Sequence, residues 1–257
     1  MPSHTVTPFL DDEPAVLSRN HEPQQSTPVP IAPGENPPSY DVARIPEVPV
    51  TFTFSLMAAN TNAMLVIPSI DSPDTRPLYH ISVGLDPFFP TRMVTTVLKG
   101  GNEQGQYVGG FKTVPVIQAY KDHKAKSKSS PAAACQTVAV GGKEIMQSTV
   151  WKDMGTRKGK TKAFNWGDPR QMIPSFTWSC PAWPNAGKFS CYMDRNYPYN
   201  ITYAEFTVSD PSESLTEPKL TLMPEGHQYF DEIMISVLLL ERDRMTAIVQ
   251  NETFYNN

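Results

Sequence analysis

Near its C-terminal end the chain carries a run, Ile233 to Leu240 (IMISVLLL), in which Ser236 is the sole polar residue. The run lies in a longer stretch, Tyr229 to Val249, free of Gly and Pro. Asp231 and Glu232 precede it and Arg242 and Arg244 follow it, the charge order that suits a helix dipole. A run of eight residues falls well short of the ~20 that a bilayer-spanning helix needs. A helix apolar on every side must instead be surrounded by protein. The pattern predicts a helix over 229–249. A long buried strand is the alternative, because an apolar run alone does not separate the two.

The residues available to surround it begin at Val50. In VTFTFSLM, Val50, Phe52, Phe54 and Leu56 alternate with Thr51, Thr53 and Ser55, the period of a half-buried strand. Similar short runs follow at 63–67, 79–85, 93–98, 106–111, 113–119, 136–140, 143–147, 161–166, 175–180, 188–193, 201–208 and 219–223. Turn residues separate them, and Gly141-Gly142 joins two runs in the two residues a hairpin requires. In an all-β domain the place that can enclose an apolar helix is the inside of a curled sheet. The expected fold is mainly β: an antiparallel closed β-barrel of about twelve strands around a hydrophobic C-terminal helix, spanning 50–257.

Residues 1–49 are of another kind. They hold eleven of the 26 prolines, with seven acidic residues against two basic ones, a net charge of −5. Proline fixes φ and donates no backbone hydrogen bond, so such a segment builds neither helix nor central strand. It has too little apolar surface to offset its ordering entropy. A disordered, acidic, polyproline-II-prone tail is expected. Within it, Pro37-Pro38-Ser39-Tyr40 is a PPxY motif. Pre-set prolines suit the aromatic groove of a WW domain, and the tyrosine fills a second pocket. The expected partner is a WW-domain protein, such as a WW-containing ubiquitin ligase.

Whole-chain charge is −4 with an isoelectric point near 5.7, so a general nucleic-acid binder is not expected. Two stretches beyond the tail are locally basic. One holds Lys121, His123, Lys124, Lys126 and Lys128; the other holds Arg157, Lys158, Lys160 and Lys162. They read either as solvated loops or as contacts for an anionic membrane surface. Gly159-Lys160-Thr161 imitates the end of a phosphate-binding loop, but Met154 stands where the first glycine is needed.

Catalytic patterns are sparse. Three cysteines lack any CxxC spacing, and no His-Glu-x-x-His occurs, so no metal and no cofactor are expected. Cys180 alternates with Phe176 and Trp178 and reads as core, as do the four tryptophans; His80 is expected on the polar face of its strand. A non-enzymatic binding module is the leading reading. A lipid-handling, scramblase-like protein and, behind it, a hydrolase using a cysteine with His227 are the alternatives. The N-terminal residues MPSHTVTPFL lack the basic start of a secretory signal, and the few cysteines suit a reducing compartment, so a cytoplasmic location is expected. Asn200-Ile-Thr and Asn251-Glu-Thr read as chance sequons in that setting.

Three stretches carry a resemblance: YHISVGLDPFFPTRMVTTVLKGG at 79–101, GQYVGGF at 105–111 and PEGHQYFDEIMISVLLLERDRM at 224–245. Together they resemble a family of fungal domains without assigned function, common in mushroom-forming fungi, with a tubby-like, LURP-one-related architecture. Thr95, Thr96, Gly100, Val108, Gly109, Phe111, Ser236, Glu241, Arg242 and Arg244 fall on its recurring positions, whereas Gly110 replaces its usual acidic residue. The resemblance implies twelve strands around a central helix, and basic groups that meet phosphoinositide headgroups.

If the tail docks as expected, a peptide spanning Ala32 to Arg44 should bind a WW domain as well as the full chain does, with micromolar or weaker affinity. In fluorescence polarisation Tyr40→Ala should remove most of the binding and Ser39→Ala little. Equal binding of the native and Tyr40→Ala peptides would reduce the motif to proline-rich background.

Overall fold

The computed structural model describes residues 46–58, 60–72, 74–90, 92–113, 136–157, 161–168, 170, 172–185, 187–193, 201–208 and 217–255. Pro37, Pro38 and Tyr40, Lys121, Lys124, Lys126, Lys128, Lys158 and Lys160, and the expected strand beyond Thr113 lie outside these residues.

Thirteen strands form one antiparallel sheet. The first seven are β1 (Val50–Met57), β2 (Asn60–Pro68), β3 (Tyr79–Leu85), β4 (Met93–Lys99), β5 (Tyr107–Thr113), β6 (Thr137–Val140) and β7 (Lys143–Met146). A single helical turn, α1 (Gln147–Val150), leads to β8 (Trp151–Arg157), β9 (Thr161–Asp168), β10 (Ile173–Cys180), β11 (Lys188–Tyr192), β12 (Thr202–Thr207) and β13 (Lys219–Leu222). A 3-10 segment, Pro224–Tyr229, then turns the chain into the helix α2 (Phe230–Tyr255). The spatial order is β7-β6-β5-β4-β3-β2-β1-β13-β12-β11-β10-β9-β8.

The sheet curls around α2. Ile233, Met234, Ile235, Ser236, Val237, Leu239 and Leu240 are all essentially inaccessible. Their neighbours come from widely separated strands. Phe230 packs on Phe52 of β1 and Tyr79 of β3, Ser236 meets Trp178 of β10, and Asp243 meets Trp151 of β8. A helix buried on all sides is what the apolar run demanded, and the helical alternative holds over the strand.

Hydrogen bonds do not close the ring, contrary to the expected closed barrel. Among the described residues no ladder joins β7 to β8, the two ends of the strand order. The reason is parity. With thirteen strands alternating in direction, the two edges run the same way, and no antiparallel pair can form between them. Parallel pairing normally needs a crossover of a dozen residues or more, and α1 supplies four. The chain crosses the seam by continuing in one direction through that helical turn.

The additional strand is β8, which the sequence pattern does not announce. In WKDMGTR Trp151 is buried and residues 152–156 are exposed, so there is no alternation to read. A register shift falls between Asp153 and Thr156, where Gly155 adopts φ +72° and donates its N–H to Asp153 Oδ1 at 2.8 Å. Two further expectations change. His80 is 1 % exposed rather than on a polar outer face, because Tyr79, His80 and Ile81 are all covered, and its Nδ1 has no hydrogen-bond partner. Leu56 is exposed, since it sits beside the register shift that ends β1. The Gly141-Gly142 hairpin stands as read: φ values of +56° and +75° give the turn its hand, a conformation that other residues adopt with strain.

Gly109 shows how tightly the sheet lies on the helix. A Cβ there would press into the Ala139 carbonyl oxygen and come within 3.2 Å of Ile235 Cδ1 on α2. Gly109→Ala should therefore cost about 3 kcal/mol or more in urea unfolding, at the upper end of overpacking penalties. An unchanged midpoint would show that β5 does not rest on α2 as described.

Candidate functional site

Strict alternation of strand direction sorts the connections between the two ends of the sheet. The turns β1–β2, β3–β4 and β8–β9 and the excursion between β5 and β6 all leave from one end. This is the end to which both basic stretches are attached. Thr113 pairs with Met93 and bounds the segment that carries Lys121, Lys124, Lys126 and Lys128. Arg157 closes β8 opposite Thr161 of β9, on either side of Lys158 and Lys160.

Lys162 departs from expectation. It is not a loop residue but the second residue of β9, facing Cys180 of β10 and Thr156 of β8. Its Nζ lies 2.9 Å from Asp153 Oδ2 and sits 5.1 Å above the Phe164 ring and 5.3 Å above that of Trp183. Its ammonium is already paired and its side chain is mostly covered, unlike that of a solvated loop cation. Burying an aliphatic stem beside two aromatic rings is how a lysine contributes to packing.

The same end carries a feature that charge-based reading passes over. The β3–β4 turn, Asp86 to Arg92, presents Phe88 and Phe89 to solvent at 85 % and 51 % exposure. Asp86 itself is buried, and its Oδ1 accepts the backbone N–H groups of Phe88 at 2.9 Å and Phe89 at 3.2 Å. The signal was present in the sequence as Asp-Pro-Phe-Phe-Pro, an aspartate placed to cap two amides between two prolines.

At the opposite end lies a cleft of about 580 Å³ lined by Asp74, Arg76, Leu78, Tyr79, Lys99 and Gly100, among others. Its charges are already matched. Arg76 binds Asp74 through its Nε and Nη2, which holds the Asp74 carboxyl down to about 2. Lys99 Nζ lies 3.1 Å from Asp231 Oδ2, and Tyr79 donates its hydroxyl to Asp231 Oδ1 at 2.6 Å. Burial, reinforced by that carboxylate, pushes the Tyr79 phenol well up, so it remains a donor. This cleft is electrically balanced and anchors the start of α2.

Among the described residues, groups with catalytic potential do not gather. Cys180 and Cys191 are free and fully inaccessible, and burial raises both thiols, leaving them protonated and poorly nucleophilic. His227 lies in the 3-10 segment with its Nε2 buried and unpartnered, and desolvation lowers its pKa. Nor, among the described residues, are three His, Cys, Asp or Glu side chains grouped to hold a metal ion. No family model matches the chain, and no curated protein or solved structure matches it either.

Lys162→Gln separates packing from surface binding. It should lower stability by about 1 kcal/mol, through loss of the half-screened Asp153 pair and the ring contacts. Adhesion to anionic vesicles should stay as in the native protein. A variant with unchanged melting temperature and weakened vesicle binding would return Lys162 to the surface set.

Proposed function

We propose that the folded domain is a non-catalytic, cytoplasmic binding module of the tubby-like kind that adheres weakly to anionic membrane surfaces. Its proline-rich tail docks WW-domain proteins, ubiquitin ligases among them, through Pro37, Pro38 and Tyr40. The observation that carries the membrane reading is positional. Both basic stretches attach at one end of the sheet, so Lys121, Lys124, Lys126, Lys128, Arg157, Lys158 and Lys160 belong to connections that start from a common side. A cytoplasmic leaflet attracts such groups at roughly 1 kcal/mol per charge, enough for several together to hold a protein weakly. The enclosed helix supports the tubby-like part of the reading, with the β7–β8 seam as its departure from a hydrogen-bonded barrel. Among the described residues no helix is long and apolar enough to cross a membrane. Protonated, inaccessible thiols support a binding role over a cysteine hydrolase.

Co-sedimentation with vesicles tests the proposal. The full chain should pellet with phosphatidylcholine vesicles containing phosphatidylserine or a phosphoinositide, and not with phosphatidylcholine alone. Binding should fade as salt shortens the screening length from ~10 Å at 0.1 M to ~3 Å at 1 M. Replacing Lys124, Lys126 and Lys128 by Glu should abolish it. Equal pelleting on neutral and anionic vesicles, or indifference to salt, would overturn the electrostatic reading.

A further inference from the structure

The β3–β4 turn combines two properties that seldom occur together: large apolar side chains in water and described backbone donors that are all satisfied within the turn. Leu85, Phe88 and Phe89 are 64 %, 85 % and 51 % exposed. Asp86 donates its N–H to the Arg92 carbonyl at 2.9 Å, and Arg92 donates its own to the Phe89 carbonyl at 2.8 Å. Phe88 and Phe89 donate to the buried Asp86 carboxylate. Pro87 and Pro90 have no N–H to place. Every backbone donor of the described turn residues is thus absent or satisfied within the turn. Among those residues the one carboxylate is turned inward, and the one cation, Arg92, lies 4.3 Å over the Phe89 ring.

We propose that this turn is a wedge that inserts Phe88 and Phe89 into the headgroup–acyl boundary of an anionic bilayer. The proposal rests on the surface-binding reading above and names the element that penetrates. Hydrocarbon offers no hydrogen-bond partners, so a segment entering it must satisfy its own backbone. The described N–H groups of the turn meet that demand, whereas a docking site for a protein strand would keep donors free for its partner. Its shape is a projecting tip rather than a groove, which a deformable surface accommodates. Charge agrees as well, because the basic connections leave the sheet from the same end and would draw the tip onto an anionic leaflet. Arg92, stacked on Phe89, is placed to reach lipid phosphate while the ring goes deeper.

Two variants of the full chain test it on phosphatidylcholine vesicles containing phosphatidylserine. The pair Phe88→Ser and Phe89→Ser, made together, should leave the melting temperature unchanged, because both rings already face water. The same change should weaken vesicle binding by roughly tenfold to a hundredfold, since each ring forfeits its apolar burial. The second variant, Phe88→Trp, places an indole at the tip. Spin-labelled lipids should quench it beyond the quenching of the native chain, in which Trp151, Trp166 and Trp178 are buried and the half-buried Trp183 sets the background. If the intact chain binds but the Ser pair binds within about twofold of it, or the introduced indole escapes the quencher, the wedge is wrong and surface adhesion stands. If the intact chain binds no vesicle, both fall. Blue-shifted emission from the introduced indole that grows with protein concentration, without lipid, would show a second copy of the chain covering the turn and overturn the proposal.

Discussion

Enclosure of α2 by the curled sheet is the constraint on which the rest depends. An apolar helix surrounded by strands gains burial on every side, but burial alone would let it slide or rotate, because hydrophobic contact is non-directional. Three polar contacts fix its position. Asp231 receives the Tyr79 hydroxyl at the first turn. Ser236 accepts the Trp178 indole N–H at 3.0 Å and donates to the Ile233 carbonyl at 2.8 Å. Asp243 accepts the Trp151 indole N–H at 2.8 Å. They span about 18 Å of helix at 1.5 Å per residue and reach β3, β10 and β8. Each contributes only ~1 kcal/mol net, yet removing one partner leaves a buried group unsatisfied at a cost of about 1–3 kcal/mol.

The last of these contacts explains how an open seam is tolerated. Edge strands with unpaired backbone groups invite association with other chains. Here the C-terminal part of α2 reaches both sides of the gap. Arg242 donates to Gln147 Oε1 at 2.9 Å in α1, lies over the Phe111 ring of β5 and pairs with Asp243, which holds Trp151 of β8. Arg244, nearly inaccessible, is neutralised by Glu241. Arg242 and Asp243 therefore fasten the seam, and α1 carries the chain across it.

The strand start at Val50, the helix around Ile233 to Leu240 and the glycine hairpin were legible because each is a local pattern, of period, apolarity or backbone hand. What escaped was set by tertiary context. β8 has one buried anchor, Trp151, and no alternation, so its identity as a strand comes from pairing with β9. Lys162 reads as a loop cation until that pairing places Asp153 beside it. Arg242 suits a helix dipole in sequence, whereas Arg242 and Asp243 find partners more than ninety residues earlier. The Phe88–Phe89 turn was readable in principle, through an aspartate set before two amides. Attention to charge alone passed over it.

These elements connect fold to function in one direction. The enclosed helix holds the sheet curled, the curled sheet gathers alternate connections at one end, and that end carries the basic stretches and the aromatic turn. Native-state hydrogen exchange tests the first link most directly. Amides of Ile235 to Leu240 should exchange only by global unfolding, at the slowest limit in the molecule, and those of the edge strands β7 and β8 earlier. Exchange of Ile235 to Leu240 ahead of the central strand β1 would show that the helix is not enclosed, and would contradict the account.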